Sequence, residues 1–469
     1  MKRFTAIMLV TVILASVATD LSLPRESSHY ASPAATAVFA DDSYLANTLS
    51  DYQIPKAVIQ TILDNSLLSD GKTPTADGMT VANFTIADFQ KLTTVSLATR
   101  TKNDDGSYSS KMSDAVANDI GSVKVYADSW QDSYDSTAGG VIISQNYEGA
   151  CGNDKRAAMS DILQNGMYKN AYYLAGGPVA KNVNVWLNYL IAMIGTNTAM
   201  TTLDLTGAFS EMTYNTAMPQ FARILGMMQI GASNVETLQL GSNPIMSQET
   251  NMNDHSSFAF SSSTLKNLDI SNNGFTTLNT EMLGNMSGNL TNLNLAGNQI
   301  TSITTNATTI FDKGSVDLSD AKLANDPNTN RILVSAINSG NGGISLGDEA
   351  VNTLVSNTMK DAAGGVSLNT NGLNQVASQL DSTTVDKLVT TSPALIDNKV
   401  LNTLVTSNAT ALTGDNFAKI AQTNPAAIDE DTLASLLTKN PDVLTPEVVQ
   451  NLATSQSSAL TPEVLGKIA

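Results

Sequence analysis

Apolar positions recur along this chain in two different rhythms. From residue 380 onward they come in triplets spaced apolar-x4-apolar-x2-apolar, once every sixteen residues without a slip: Leu380/Val385/Leu388, Ile396/Leu401/Leu404, Leu412/Phe417/Ile420, Ile428/Leu433/Leu436, Leu444/Val449/Leu452 and Leu460/Leu465/Ile468. The last two members of each triplet lie three residues apart, on one face of a helix. The residue after the first member is Asp381, Asp397, Thr413, Asp429, Thr445 or Thr461, each able to accept a first-turn N–H as an N-cap. Pro446 and Pro462 suit the first helical position, and Glu447 and Glu463 place negative charge at the positive end of the helix dipole. Asn424-Pro425 and Asn440-Pro441 fall where each helix should stop. Each unit is therefore predicted to be a helix of about ten residues plus a short extended return. Such a helix, about 15 Å long, is marginal alone, so neighbouring units must stack. The same spacing appears less regularly at Leu346/Val351/Leu354 and Leu368/Leu373/Val376.

The second rhythm alternates. TLKNLDISNNGFTTL (264–278) returns as NLTNLNLAGNQITSI (289–303), with Leu268 and Leu293 25 residues apart. Weaker copies are TTLDLTGAF (201–209), VETLQLGSNPI (235–245) and SVDLSDAKL (315–323), with a distant one, KLTTVSLAT, at 91–99. A short strand at x-Leu-x-Leu sends its leucines inward and the intervening residues outward. The bend that follows carries Asn243, Asn273 or Asn298, whose amide can satisfy backbone groups left open there. One unit cannot bury its own apolar face, so neighbours must stack. Between strands, 183–195 and 218–228 have the length and apolar content of helices.

These repeats resemble the leucine-rich repeat family, in particular the internalin-like surface proteins of Gram-positive bacteria. The resemblance is clear over 201–323 and weaker back to about residue 41, where IPKAVIQTIL (54–63) and FTIADFQKLTTVSL (84–97) resemble the helical cap and first strand of that family. It implies an α/β fold: a leucine-rich repeat solenoid with a helical N-terminal cap, followed by a solenoid of sixteen-residue short-helix repeats. It also implies a secreted or cell-surface recognition or adhesion role. The chain departs from the family in its uneven repeats, in the long gap before residue 201, and in having no Leu-Pro-x-Thr-Gly sorting signal in the sequence. The expected organisation is a leader at 1–40, cap and first strand at 41–100, an insertion with return helices at 101–200, leucine-rich repeats at 201–325, irregular transition repeats at 326–379 and helical repeats at 380–469. Within the insertion, KNDDGSYSS reads as a polar turn, SVKVYADSW and GGVIISQNY as strands, and 155–167 as a helix.

The N-terminus supports export. Lys2 and Arg3 precede a thirteen-residue apolar run (6–18), too short to span a bilayer and of the length of a signal-peptide core. Cleavage after Ala18 and cleavage after Ala40 both fit, and neither leaves a membrane insert. Composition narrows the partners. With 25 Lys and Arg against 43 Asp and Glu, the net charge of −18 and the lack of a basic stripe argue against nucleic acid and anionic membranes. One Cys and two His leave no internal disulfide and no Cys/His zinc cluster.

Candidate chemistry is sparse. A nucleophilic Cys151 would need a base, and the histidine that survives either cleavage, His255, sits in an Asn/Ser-rich stretch. Trp130, Trp186 and the methionines 212, 218, 227 and 228 read as packing residues. No phosphate loop, HExxH, GxSxG or EF-hand spacing is present, so no catalytic residue, metal ligand or cofactor is assigned. One constellation remains. The residue between the paired apolar positions of each strand must face outward, which lines up Asp204, Gln239, Asp269, Asn294 and Asp317, beside Thr206, Asn267, Ser271, Asn292, Ser315 and Ser319. This is either an ordinary solvated sheet face or an acidic groove for a basic peptide, a glycan or a Ca²⁺-bridged ligand. The partner read from it is a protein or glycan at the cell surface, and no oligomeric state follows from the sequence.

Overall fold

Pro55 opens helix α1 (Lys56–Asn65), which buries Val58, Ile59, Ile62 and Leu63 along one face. Thr85 caps α2 (Ile86–Phe89) reciprocally: Asp88 N–H donates to Thr85 Oγ1 at 3.2 Å, and Thr85 N–H donates to the Asp88 carboxylate at 3.3 Å. The chain then enters strand β1 (Thr94–Ser96). The polar turn expected in KNDDGSYSS is the tip of an antiparallel hairpin, β2 (Thr99–Lys102) with β3 (Tyr108–Lys111), with Gly106 at φ 86°. Helix α3 (Asp114–Gly121) and a parallel pair, β4 (Lys124–Ala127) with β5 (Gly140–Ile143), follow. Helix α4 (Trp186–Thr196) begins with a fully buried Trp186.

This computed structural model describes residues 42–121, 124–127, 140–143, 163, 186–211, 234–243, 264–279, 289–304, 309–340, 343–359 and 367–468. The leader, Cys151, His255, Trp130, the methionine cluster, the helix expected at 218–228 and all but Leu163 of the one at 155–167 lie outside them.

The alternating segments become strands β6 (Thr202–Asp204), β7 (Thr237–Gln239), β8 (Asn267–Asp269), β9 (Thr277–Asn279), β10 (Asn292–Asn294), β11 (Ser302–Thr304) and β12 (Ser315–Leu318). After α5 (Thr309–Lys313) and α6 (Pro327–Ser339) comes β13 (Gly343–Leu346). Seven of these strands form one parallel sheet in the order β1-β6-β7-β8-β10-β12-β13. Its register aligns Val95, Leu203, Leu238, Leu268, Leu293 and Val316, all buried. Burying each such side chain contributes about 1.5–3 kcal/mol, but only once a neighbour is stacked against it. On the other side of the repeats β9 and β11 pair in parallel over buried Leu278 and Ile303.

Two columns of special residues hold the bends. Gly207, Ser242, Asn272 and Gly297 occupy equivalent positions with left-handed backbones, φ 67°, 59°, 54° and 73°. Asparagine and glycine tolerate this; at Gly297 a Cβ would also stand 2.0 Å from Asn272 Oδ1. The next residue, Asn243, Asn273 or Asn298, is buried. Asn273 Nδ2 donates to the carbonyls of Leu240 (3.2 Å) and Ile270 (3.0 Å), and its Oδ1 accepts from Asn243 N–H. Asn298 repeats the pattern one layer on, accepting from the N–H groups of Asn273 (3.0 Å) and Phe275 (3.1 Å).

Asp326 caps α6, and β13 leads directly into α7 (Asp348–Thr358) and α8 (Thr370–Val376). The sheet thus runs past the boundary expected at 325, and a single hydrophobic core continues from Leu49 to Val464. The sixteen-residue units form α9 (Ser382–Thr391), α10 (Asn398–Ser407), α11 (Gly414–Thr423), α12 (Glu430–Lys439), α13 (Pro446–Ser455) and α14 (Pro462–Ile468). Asp381, Asp397, Thr413, Asp429 and Thr445 cap them as expected. The returns differ from expectation: each contains a 3₁₀ turn, such as Pro425–Ala427 and Pro441–Val443. Proline opens three of these turns, at Pro393, Pro425 and Pro441, rather than merely ending the helix. The packing step also differs, because each helix rests on the one two units along: α9 on α11, α10 on α12, α11 on α13, α12 on α14. Amide side chains bridge the same step. Asn424 Nδ2 donates to Ile396 O at 2.7 Å and Asn440 Nδ2 to Leu412 O at 3.0 Å, each reaching 28 residues back.

Candidate functional site: a polar groove on the sheet

Strands β7, β8, β10 and β12 each show two outward residues, one on either side of a buried centre. In β7, β8, β10 and β12 these are Thr237 and Gln239, Asn267 and Asp269, Asn292 and Asn294, and Ser315 and Asp317, and together they line a depression of about 200 Å³. The in-register parallel pairing places them in two straight columns crossing the strands.

The second column is oriented by local bonds. Asp269 Oδ1 accepts the Ser271 N–H at 2.8 Å, Asn294 Oδ1 the Ala296 N–H at 3.0 Å, and Asp317 Oδ1 the Ser319 N–H at 2.9 Å. Each side chain thus closes the bend after its own strand with one oxygen. The second carboxylate oxygens of Asp269 and Asp317 remain available as acceptors, and the Nδ2 of Asn294 as a donor. In the first column Asn292 Nδ2 donates to Asn267 Oδ1 at 2.5 Å, and Asn267 Nδ2 donates to Thr237 Oγ1 at 2.9 Å. At the rim Lys266 pairs with Glu236 at 2.8 Å, both exposed.

Asp204, expected to begin the ladder, does not line the groove. It is fully buried. Its Oδ1 accepts the Thr206 N–H at 3.1 Å like its counterparts, but Oδ2 accepts from Ser96 Oγ (3.1 Å) and Ser110 Oγ (2.5 Å). Arg100 Nε lies 3.8 Å from the same oxygen, and its guanidinium stacks 4.2 Å above the Tyr108 ring. Ser110, Arg100 and Tyr108 all belong to the β2–β3 hairpin, so Asp204 anchors that hairpin over β6. The sequence carried no sign of this, since the contacts join residues about a hundred positions apart. Thr237 was also missed, although its place before Leu238 matches that of Asn267 before Leu268.

Among the described residues, no group of three or more His, Cys, Asp or Glu lies close enough to share a metal ion. Among the described residues, the surface offers a row of hydrogen-bond donors and acceptors with two carboxylates that have no cationic partner. No protein-family model matches the chain, and no curated protein matches it.

Proposed function

We propose that this is an exported, non-enzymatic recognition protein of the leucine-rich repeat type, binding a protein or glycan at the cell surface through the groove on its parallel sheet. The observation that carries the reading is the division of labour within each strand. The leucines build the core, while Thr237, Gln239, Asn267, Asp269, Asn292, Asn294, Ser315 and Asp317 add nothing apolar to it and stand together on one face. The basic start and thirteen-residue apolar run at 6–18 support export. The helical units then act as a stalk. Their uniform caps and bridges also favour the alternative, a structural cell-envelope spacer with no specific ligand.

The test is capture of cell-surface extract by the full chain, compared with a chain carrying Asp269→Asn and Asp317→Asn. Recognition through the groove predicts loss of capture with an unchanged melting temperature. Capture that persists in the double variant moves the site elsewhere, and no capture by either chain favours the spacer.

A further inference from the structure

The groove's second column alternates in chemistry from strand to strand: amide at Gln239, carboxylate at Asp269, amide at Asn294, carboxylate at Asp317. Neighbouring strands lie about 4.8 Å apart, so the two carboxylates stand about 10 Å apart with an amide between them. The bonds to Ser271 and Ser319 use one oxygen of each carboxylate. The nearby Lys266 is held by Glu236 at the rim. A ligand that complements this row carries a cation at every second step and a neutral polar group at the steps between.

Three features argue for a saccharide over a peptide. Among the described residues the groove offers no aromatic side chain, and its leucines, Leu238, Leu268 and Leu293, point into the core, so a peptide anchor finds no pocket there. Strands β7, β8, β10 and β12 are each paired on both sides, so no open edge is available for strand addition. The first column, Thr237, Asn267, Asn292 and Ser315, is made of hydroxyls and amides, groups that both donate and accept, as sugar hydroxyls do. A linear chain of pyranose rings laid across the strands advances by close to one strand per ring.

We propose that the groove binds a linear polysaccharide bearing protonated amines, with an amino sugar over Asp269 and another over Asp317. This rests on the recognition reading above and specifies its ligand class.

The experiment is isothermal titration of the full chain with the β-1,4-linked hexamer of glucosamine, with its N-acetylated counterpart and with an oligolysine peptide, at low and at physiological salt. The deacetylated hexamer should bind, and Asp269→Asn with Asp317→Asn should weaken it by roughly tenfold or more. The acetylated hexamer should bind at least that much more weakly, and salt should lower the affinity of the deacetylated one. Asp442→Asn, on the exposed surface of the helical units, should change nothing. Equal binding of both hexamers, equal binding by parent and double variant, or no binding of the deacetylated hexamer each overturns the proposal. If oligolysine alone binds and depends on the two carboxylates, the saccharide assignment falls while the recognition reading stands. If the chain also captures nothing from cell-surface extract, both fall.

Discussion

Replacing a buried bend asparagine should cost far more than replacing an equally polar asparagine on the sheet face. Asn273→Ala removes the acceptor of the Asn243 N–H, and it takes one donor from the carbonyls of Leu240 and Ile270. Those carbonyls keep a second partner, because Asn243 Nδ2 donates to Leu240 O at 2.9 Å and Asn298 Nδ2 to Ile270 O at 2.9 Å. One stranded N–H at about 1–3 kcal/mol plus two weakened carbonyl bonds gives about 2–4 kcal/mol. Asn298→Ala removes the acceptor of two N–H groups, those of Asn273 and Phe275, and should cost about 3–6 kcal/mol. Asn292→Ala, exposed in the groove, should cost well under 1 kcal/mol. Because Asn273 and Asn298 are each the other's second donor to the Ile270 carbonyl, the double variant strands that carbonyl and should cost more than the two singles added. Urea unfolding followed by circular dichroism gives the three costs. Hydrogen exchange at the Asn243 and Phe275 amides shows whether the loss is local. A cost for Asn298→Ala below about 1 kcal/mol, or one equal to that of Asn292→Ala, would refute the claim that this ladder holds the bends.

Other expectations can be checked in the same preparations. Asp204→Ala leaves the Arg100 guanidinium, 9% exposed, without its carboxylate and should destabilise by about 3–5 kcal/mol, with proteolytic nicking of the 99–111 hairpin; a silent substitution would show that the hairpin is held otherwise. Leu436→Asp puts a charge at a fully buried position and should remove amide protection from α10 and α14, which pack on α12, whereas Thr438→Asp on the exposed side should be nearly silent; equal effects would contradict the packing step of two units. At Asp429 burial acts to raise the carboxyl, but hydrogen bonds from Thr432 and Asn398 outweigh it and hold the group below the usual carboxylate range. A carboxylate depressed in the folded state contributes stability that is present above its unfolded value near pH 4 and lost as pH falls through the folded one. Asp429→Asn should therefore still cap α12 at neutral pH yet flatten the acid loss of helicity, and unchanged acid titration would rule out that contribution.

Sequence alone settled the local features. Leucine alternation placed Gln239 of β7 and the outward residues of β8, β10 and β12, because in a strand of three or four residues the side-chain period leaves no other choice. The N-caps at Asp381, Asp397, Thr413, Asp429 and Thr445 were legible because a cap bonds within its own first turn. What stayed hidden depends on segments meeting across the chain. The sixteen-residue triplets left out a further buried column, Thr384, Val400, Asn416, Thr432, Val448 and Val464, because half of it is polar; Asn416 satisfies itself there through Ala411 O and the Thr413 N–H. The same repeat cannot tell whether a helix packs on its neighbour or on the next but one, since every unit presents the same face, and only the stacked structure selects the two-unit step. Asp204 and Asp269 read alike in their repeats. Tertiary structure separated them, laying Arg100 and Ser110 of the hairpin over the first and leaving the second facing the groove. A strand determines which side of the sheet a carboxylate faces, and the chain that passes above it determines whether that carboxylate becomes an anchor or part of a binding surface.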